Sequence, residues 1–281
     1  MTAGIIDGTA VSKRLLAETA ARATAFTERA GRAPCLATVL VGEDPASAAY
    51  VKMKHTRSRR CGIASRKVEL PGTSTTAELV QAITSLSNDP EVDGILLQHP
   101  VPEQIDERAG FEAIAPGKDV DGVTMHSFAA MSLGLPGFDS CTPGGIIRLL
   151  DAYDVQLAGR HAVVVGRSAI LGLPVGMLLL GRDATVTYCH SHTTDLADQV
   201  GQADVLVAAV GTPELVKGAW IKPGAVVVDA GYNPGNVGDV EQTAAAEKAS
   251  LITPVPGGVG PMTIAVLLAQ TVAAAEANPA V

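Results

Sequence analysis

Tyr50 and Lys54 stand four residues apart. On a helix that spacing places a phenol and an amine on one face, a pair that can hold a ring and move a proton. The plainer interpretation is a half-buried tyrosine beside a solvated lysine, and for two residues taken alone it is preferred. A second feature runs from Ala162 to Leu180, AVVVGRSAILGLPVGMLLL. It has the form of a strand, a tight loop and a helix. Gly166 permits the turn, Gly172 lets helix and strand approach, and the helix start offers N–H groups to a phosphate. Ser168 stands where the dinucleotide fingerprint has its second glycine, so the loop by itself is as consistent with an ordinary βα turn. The strand before it, the helix after it and the strands beyond weigh toward a dinucleotide site.

The end of the next strand bears on which dinucleotide. ATVTYC runs into His190-Ser191-His192-Thr193. Sites for NAD place Asp or Glu about 20 residues past the loop, to hold the ribose hydroxyls. Here the run holds no carboxylate. Ser191 can bond a 2′-phosphate and Arg167 can add charge-assisted bonds, so NADP is expected. Two histidines at strand spacing with no third ligand make a poor metal site; turn or cofactor-contact roles are preferred, and no metal is expected.

These residues need elements to carry them. The pattern predicts helices over 11–30, 76–86 and 262–276, and strands over 35–41, 66–70 and 93–98. Ser47 is a candidate N-cap for the helix that carries Tyr50 and Lys54. Four valine-rich runs, 162–165, 184–189, 204–210 and 225–229, suit strands buried on both faces. Apolar runs alternating with helical patterns predict βαβ units around a mostly parallel sheet, an α/β fold. The chain of 281 residues is long enough for two domains. Gly134 to Thr142, rich in Gly and Pro, is the expected boundary, and Pro143 is expected to open the following helix.

Composition limits the partners. Net charge is −8, against a nucleic-acid role. No apolar run reaches the ~18–20 residues of a membrane span, and no secretory signal is seen. Cys35, Cys61, Cys141 and Cys189 are too widely spaced for a zinc or redox motif, and free thiols in a cytoplasmic protein are expected.

A Tyr-x-x-x-Lys pair is also a feature of short-chain dehydrogenases, but there it follows the cofactor loop, and here it precedes it. The order of further runs points elsewhere. Asp93 to Pro102 reads DGILLQHPVP, Pro116 to Gly122 reads PGKDVDG, and Cys141-Thr142-Pro143 follows. Then come Gly166-Arg167-Ser168, Cys189-His190-Ser191, and Thr253 to Thr263, TPVPGGVGPMT. This array, from about Tyr50 to Thr263, resembles the bifunctional methylenetetrahydrofolate dehydrogenase/methenyltetrahydrofolate cyclohydrolase family. The PGGVGPMT and KDVDG runs are its specific parts.

The resemblance implies an N-terminal three-layer α/β substrate domain over 1–139 and a Rossmann-type NADP-binding domain over 140–261. A C-terminal helix, about 262–278, would pack back on the first, and the active-site cleft would lie between the domains. It implies oxidation of 5,10-methylenetetrahydrofolate to the methenyl compound with NADP, then hydrolysis to 10-formyltetrahydrofolate. Lys54 would be the catalytic acid or base, tuned by Gln98. Tyr50 would pack on the aminobenzoate ring and Asp121 hold the pterin. Pro256, Gly257 and Gly258 would line the folate cleft. Gly166, Arg167, Ser168 and Ser191, the backbone at Tyr232, and Thr142 would serve NADP. A homodimer joined through the cofactor domains is implied too.

Hydride removal needs alignment with the nicotinamide and little acid–base help. Water attack needs proton transfer, and a partly desolvated lysine is suited to it. The basic stretch Lys52 to Lys67 suggests a landing site for a polyglutamate tail, with Arg57 and Arg60 foremost; a solvated helix face is the competing interpretation. The sequence departs from the family at His99, Leu173, Tyr232 and Thr56, while Lys54, Gln98 and Asp121 remain. A dehydrogenase of the shikimate type shares the domain order without the PGGVGPMT loop. A folate or nucleotide sensor with a dead site would not need Tyr50, Lys54, Gln98 and Asp121 together.

Overall fold

A computed structural model describes residues 2–42 and 54–278, and the chain divides into two compact units. The first comprises Arg14–Ala130, Pro136–Asp139 and the chain from Ile264 onward. Its sheet is parallel, in the order β3-β2-β4, with β2 Cys35–Val41, β3 Ala64–Leu70 and β4 Gly94–Leu97. The central β2 and the four residues of β4 are almost wholly buried, as their Val- and Leu-rich sequences require. The outer strand β3 alternates toward solvent and carries Arg66, Lys67 and Glu69, charges that discourage pairing with a further strand.

Around this sheet lie α1 (Gly8–Ala30), α2 (described over 54–60), α3 (Thr76–Asn88), α4 (Glu107–Glu112) and α5 (Met125–Leu133). Phe26, Leu36, Leu79, Ile83 and Ile95 are among the side chains that fill the core. Helix α3 starts at a reciprocal cap: Thr75 Oγ1 accepts from Glu78 N and Glu78 Oε2 from Thr75 N, worth about 0.5–2 kcal/mol. At its far end Lys118 Nζ donates to the Leu86 and Asp89 carbonyls, where the helix dipole favours a cation.

The second unit comprises the first thirteen residues, Met131–Leu135 and Ser140–Thr263. Six parallel strands lie in the order β1-β9-β8-β7-β5-β6. They are β1 Gly4–Ile5, β5 His161–Val165, β6 Thr185–Cys189, β7 Val205–Ala208, β8 Val226–Asp229 and β9 Leu251–Ile252. From β5 the chain first builds outward to β6, then returns to the other side for β7, β8 and β9. The order therefore reverses at β5, the arrangement of a doubly wound sheet. Helices α6 (Cys141–Ala152), α7 (Gly172–Leu180), α8 (Leu196–Val200) and α9 (Gln242–Ala246) accompany it. Val163, Val165, Leu206, Ala208 and Val227 form its core.

Helix α6 begins at Cys141, two residues before the expected Pro143; proline sits within the first turn, where its missing N–H is tolerated. Strand β1 is only two residues long, too short for any periodicity to mark it, and is held by parallel pairing with β9. The last helix, α10, runs Val259–Ala277. By length and mean hydropathy (1.4 over its most apolar 18 residues) it matches a membrane span, but 72% of that window is buried inside the protein, as in a core helix.

Candidate active site

Lys54 opens the described part of α2, and its side chain is buried, 7% exposed. Its Nζ donates to Gln98 Oε1 at 3.1 Å. Gln98 extends β4 by one residue and is tied to β2 through its N–H to Val39 O. Its Nε2 donates to His99 O at 2.8 Å, which turns the amide so that its oxygen faces the lysine. The helix below is locked by Ser58 Oγ, which donates to Lys54 O, and by Cys61 N to Arg57 O. Two residues 44 positions apart are thus joined in one buried hydrogen bond, the pairing expected from sequence. The His99 ring, meanwhile, meets Phe111 edge to face at 6.0 Å, so that departure fills a packing role. Tyr50 and Ser47 lie outside the described residues.

Asp121 sits half-buried on a separate loop after a 3-10 turn over Pro116–Lys118. Its loop has a frame that sequence reading missed. Asp119 is fully buried; Oδ1 accepts from Val123 N at 3.1 Å, and Oδ2 accepts from Thr124 N at 2.9 Å and Ser127 Oγ at 2.6 Å. Arg108 donates to Val123 O, and Glu112 accepts from Met125 N. The loop lies on β4 because position 94 is glycine: a Cβ there would come within 2.7 Å of Val120. The signal for Asp119 was in the KDVDG run itself, whose two carboxylates are divided between a buried clamp and a half-exposed partner.

Pro256, Gly257 and Gly258 lie in the second unit, in a turn tied to the start of α1 by Thr9 N to Gly257 O at 3.0 Å and closed by Gly258 N to Pro254 O. In the same unit, Gly166, Arg167 and Ser168 follow β5, and Ser191 follows β6. Gly166 has φ +128°, and any side chain there would collide with the Ala209 carbonyl after β7. Only glycine fits where the loops after β5 and β7 meet, at the reversal of strand order. Arg167, Ser168 and Ser191 are exposed. Ser168 Oγ accepts from Gly172 N at 3.3 Å, leaving its proton to donate. Tyr188 OH donates to Leu173 O, pinning α7 to β6. His190 Nδ1 accepts from His192 N, a turn contact; no cluster suited to a metal occurs among the described residues. Tyr232, after β8, is 70% exposed and donates to Asn236. Thr142 belongs to the first turn of α6, where it shares a hydrogen bond with Thr263.

Exposed cationic and hydroxyl groups beside a helix start, at the carboxyl ends of parallel strands, suit a phosphorylated dinucleotide. Residues 6–121 match the model of the tetrahydrofolate dehydrogenase/cyclohydrolase catalytic domain, and residues 140–279 that of the NAD(P)-binding domain of the same family. A bifunctional FolD protein of Streptomyces avermitilis is 70% identical over 98% of this chain and 96% of its own length. The crystal structure of FolD methylenetetrahydrofolate dehydrogenase/cyclohydrolase from Campylobacter jejuni is 42% identical, with a TM-score of 0.95 over 97% of this chain and 98% of that one. That of the Trypanosoma brucei dehydrogenase-cyclohydrolase, complexed with NADP and inhibitor, is 36% identical, with a TM-score of 0.93 over 98% of each chain. Likeness to a Thermus thermophilus shikimate dehydrogenase, 15% identical at a TM-score of 0.52, is one of fold alone. The chain belongs to the tetrahydrofolate dehydrogenase/cyclohydrolase family.

Proposed function

We propose that this chain performs both reactions of its family and that Lys54, held by Gln98, moves the proton in the second. It is an NADP-dependent methylenetetrahydrofolate dehydrogenase and methenyltetrahydrofolate cyclohydrolase. The observation that carries the proton-transfer reading is the buried Lys54 Nζ–Gln98 Oε1 bond. The lysine donates one proton to a fixed acceptor, so its remaining valences are oriented and its amine is partly withdrawn from water.

When bound, NADP supplies the hydride acceptor for the methylene carbon. Arg167, Ser168 and Ser191 would hold its phosphates with the start of α7, Gly166 would keep the backbone close, and Thr142 and the backbone at Tyr232 would complete its site. Hydrolysis adds water to the methenyl carbon and releases a proton. Breaking the carbon–nitrogen bond then takes a proton from the new hydroxyl and gives one to the departing nitrogen. Lys54 accepts the first of these and returns the second, while Gln98 keeps its nitrogen in line. Asp121 would bond the pterin, Tyr50 would cover the aminobenzoate ring, and Pro256, Gly257 and Gly258 would line the folate site.

Arg57 is half-buried and Arg60 exposed on α2, the helix that carries Lys54, which supports their attracting the carboxylates of a polyglutamate tail. The four cysteines are free thiols, in keeping with a cytoplasmic protein. Strand β6 ends its sheet, in keeping with a homodimer joined through the cofactor units. The test is to mix the protein with methylenetetrahydrofolate and NADP and follow the methenyl absorbance as it rises, then decays by hydrolysis. No signal with NADP would refute the dehydrogenase reading, and no acceleration of the decay would refute the cyclohydrolase one.

A further inference from the structure

Two carboxylates of the second unit are sealed from solvent, Asp229 at 1% and Asp239 at 0% exposure. Asp239 Oδ2 accepts from Val210 N at 2.6 Å and Gly211 N at 2.9 Å. Its Oδ1 accepts from Thr212 N and from Asn233 Nδ2, both at 3.0 Å. One side chain therefore gathers three consecutive backbone N–H groups from the loop after β7 and a side chain from the loop after β8. Asp229 holds Asp239 in turn. Its Oδ1 accepts from Asp239 N and Gly231 N, and its Oδ2 from Val240 N, each at 2.9 Å.

The place of this cluster gives it meaning. The loop it clamps begins at Ala209, whose carbonyl is the atom that forbids a side chain at Gly166. Through that contact the clamp reaches the phosphate loop at the reversal of strand order. A dinucleotide lies across such a reversal. On the cofactor site proposed above, Ser191 after β6 would hold the 2′-phosphate, and the loops after β7 and β8 would face the other half of the dinucleotide. Burial raises the Asp229 carboxyl above the usual carboxylate range, although three N–H donors oppose the shift. The fold thus keeps Asp229 buried at an electrostatic cost.

We propose that Asp239, supported by Asp229, is a positioning residue for the cofactor: it fixes the wall of the cleft formed by Val210–Thr212 and Gly231–Asn233 without touching the reacting atoms. The inference rests on the cofactor site proposed above. Asp239→Asn keeps the size but only one of the two oxygens, so at least one loop N–H loses its acceptor. In the full-length variant the KM for NADP should rise roughly tenfold or more and kcat for methylene oxidation should fall. Hydrolysis of methenyltetrahydrofolate, run without NADP, should stay within about twofold of the parent. Asn233→Ala removes one donor and leaves the carboxylate, and should shift the NADP KM the same way by less. A proportional fall in both reactions, or an unchanged NADP KM in folded Asp239→Asn, overturns the proposal. Where Asp239→Asn does not fold, an unchanged NADP KM in Asn233→Ala overturns it. Absence of NADP-dependent oxidation in the parent protein would instead undo the cofactor site, and would be seen before any variant is made.

Discussion

Asp119→Asn tests how the first unit holds the loop of Asp121, the residue proposed to bond the pterin. The aspartate accepts three hydrogen bonds with no exposure to water. An asparagine that puts its oxygen at the Oδ2 position keeps Thr124 N and Ser127 Oγ. Its amide then faces the Val123 N–H, donor against donor. A buried N–H left without an acceptor costs about 1–3 kcal/mol. Loss of charge assistance in the two surviving bonds adds about 1 kcal/mol, partly offset because a neutral amide is cheaper to bury. The net is about 2–3 kcal/mol, a fall of about 4–12 °C in Tm for a chain of this size. Calorimetry reads the stability and steady-state kinetics read the site. Both folate reactions should weaken together, with a higher KM for the folate and an unchanged KM for NADP. A variant with parental Tm and parental folate KM would refute the claim that Asp119 frames the loop of Asp121.

Lys54→Met should slow methenyl hydrolysis by ~10²–10⁴-fold; full hydrolysis in a folded variant would remove Lys54 from the mechanism. Arg167→Ala should lose roughly 1.5–3 kcal/mol of NADP affinity and far less of NAD affinity, read by titration of each nucleotide; equal losses would mean that Arg167 does not read the 2′-phosphate. In Arg57→Ala, Arg60→Ala, the fall of KM with added glutamates should disappear while turnover on the monoglutamate stays, and in the parent salt should erase the same gain, since exposed charges are screened over ~8–10 Å. A double variant that still discriminates tail length would leave those arginines as plain surface.

Much of this was legible from residues. Strand β2 occupies its expected span because seven residues, all but Thr38 apolar, lie between turn signals and suit a central strand. The turn after β5 was marked by Gly166 and Gly172, and the Lys54–Gln98 pairing was implied by the resemblance to the family, whose order of motifs is specific. What stayed hidden depends on side-chain contacts that no periodicity or motif marks. Nothing near Asp119 says that its partner is a serine eight residues on. Asp239 looks like an ordinary loop aspartate until the sheet brings Val210–Thr212 to it. The short helices α8 and α9, five residues each, carry too few turns for a pattern and are fixed by packing on the sheet.

Strand β1 has a consequence for how the protein is made. Gly4 pairs with Leu251 and Ile5 with Ile252, so β1 waits for a strand made about 250 residues after it. At ordinary rates of synthesis that wait is about 12–50 s. Through it the growing chain must keep two apolar residues from finding another edge. Contacts of such long sequence separation are entropically expensive and form late. A change at Gly4–Ile5 therefore acts on a late step of assembly of the cofactor unit, far along the chain from the residues it alters.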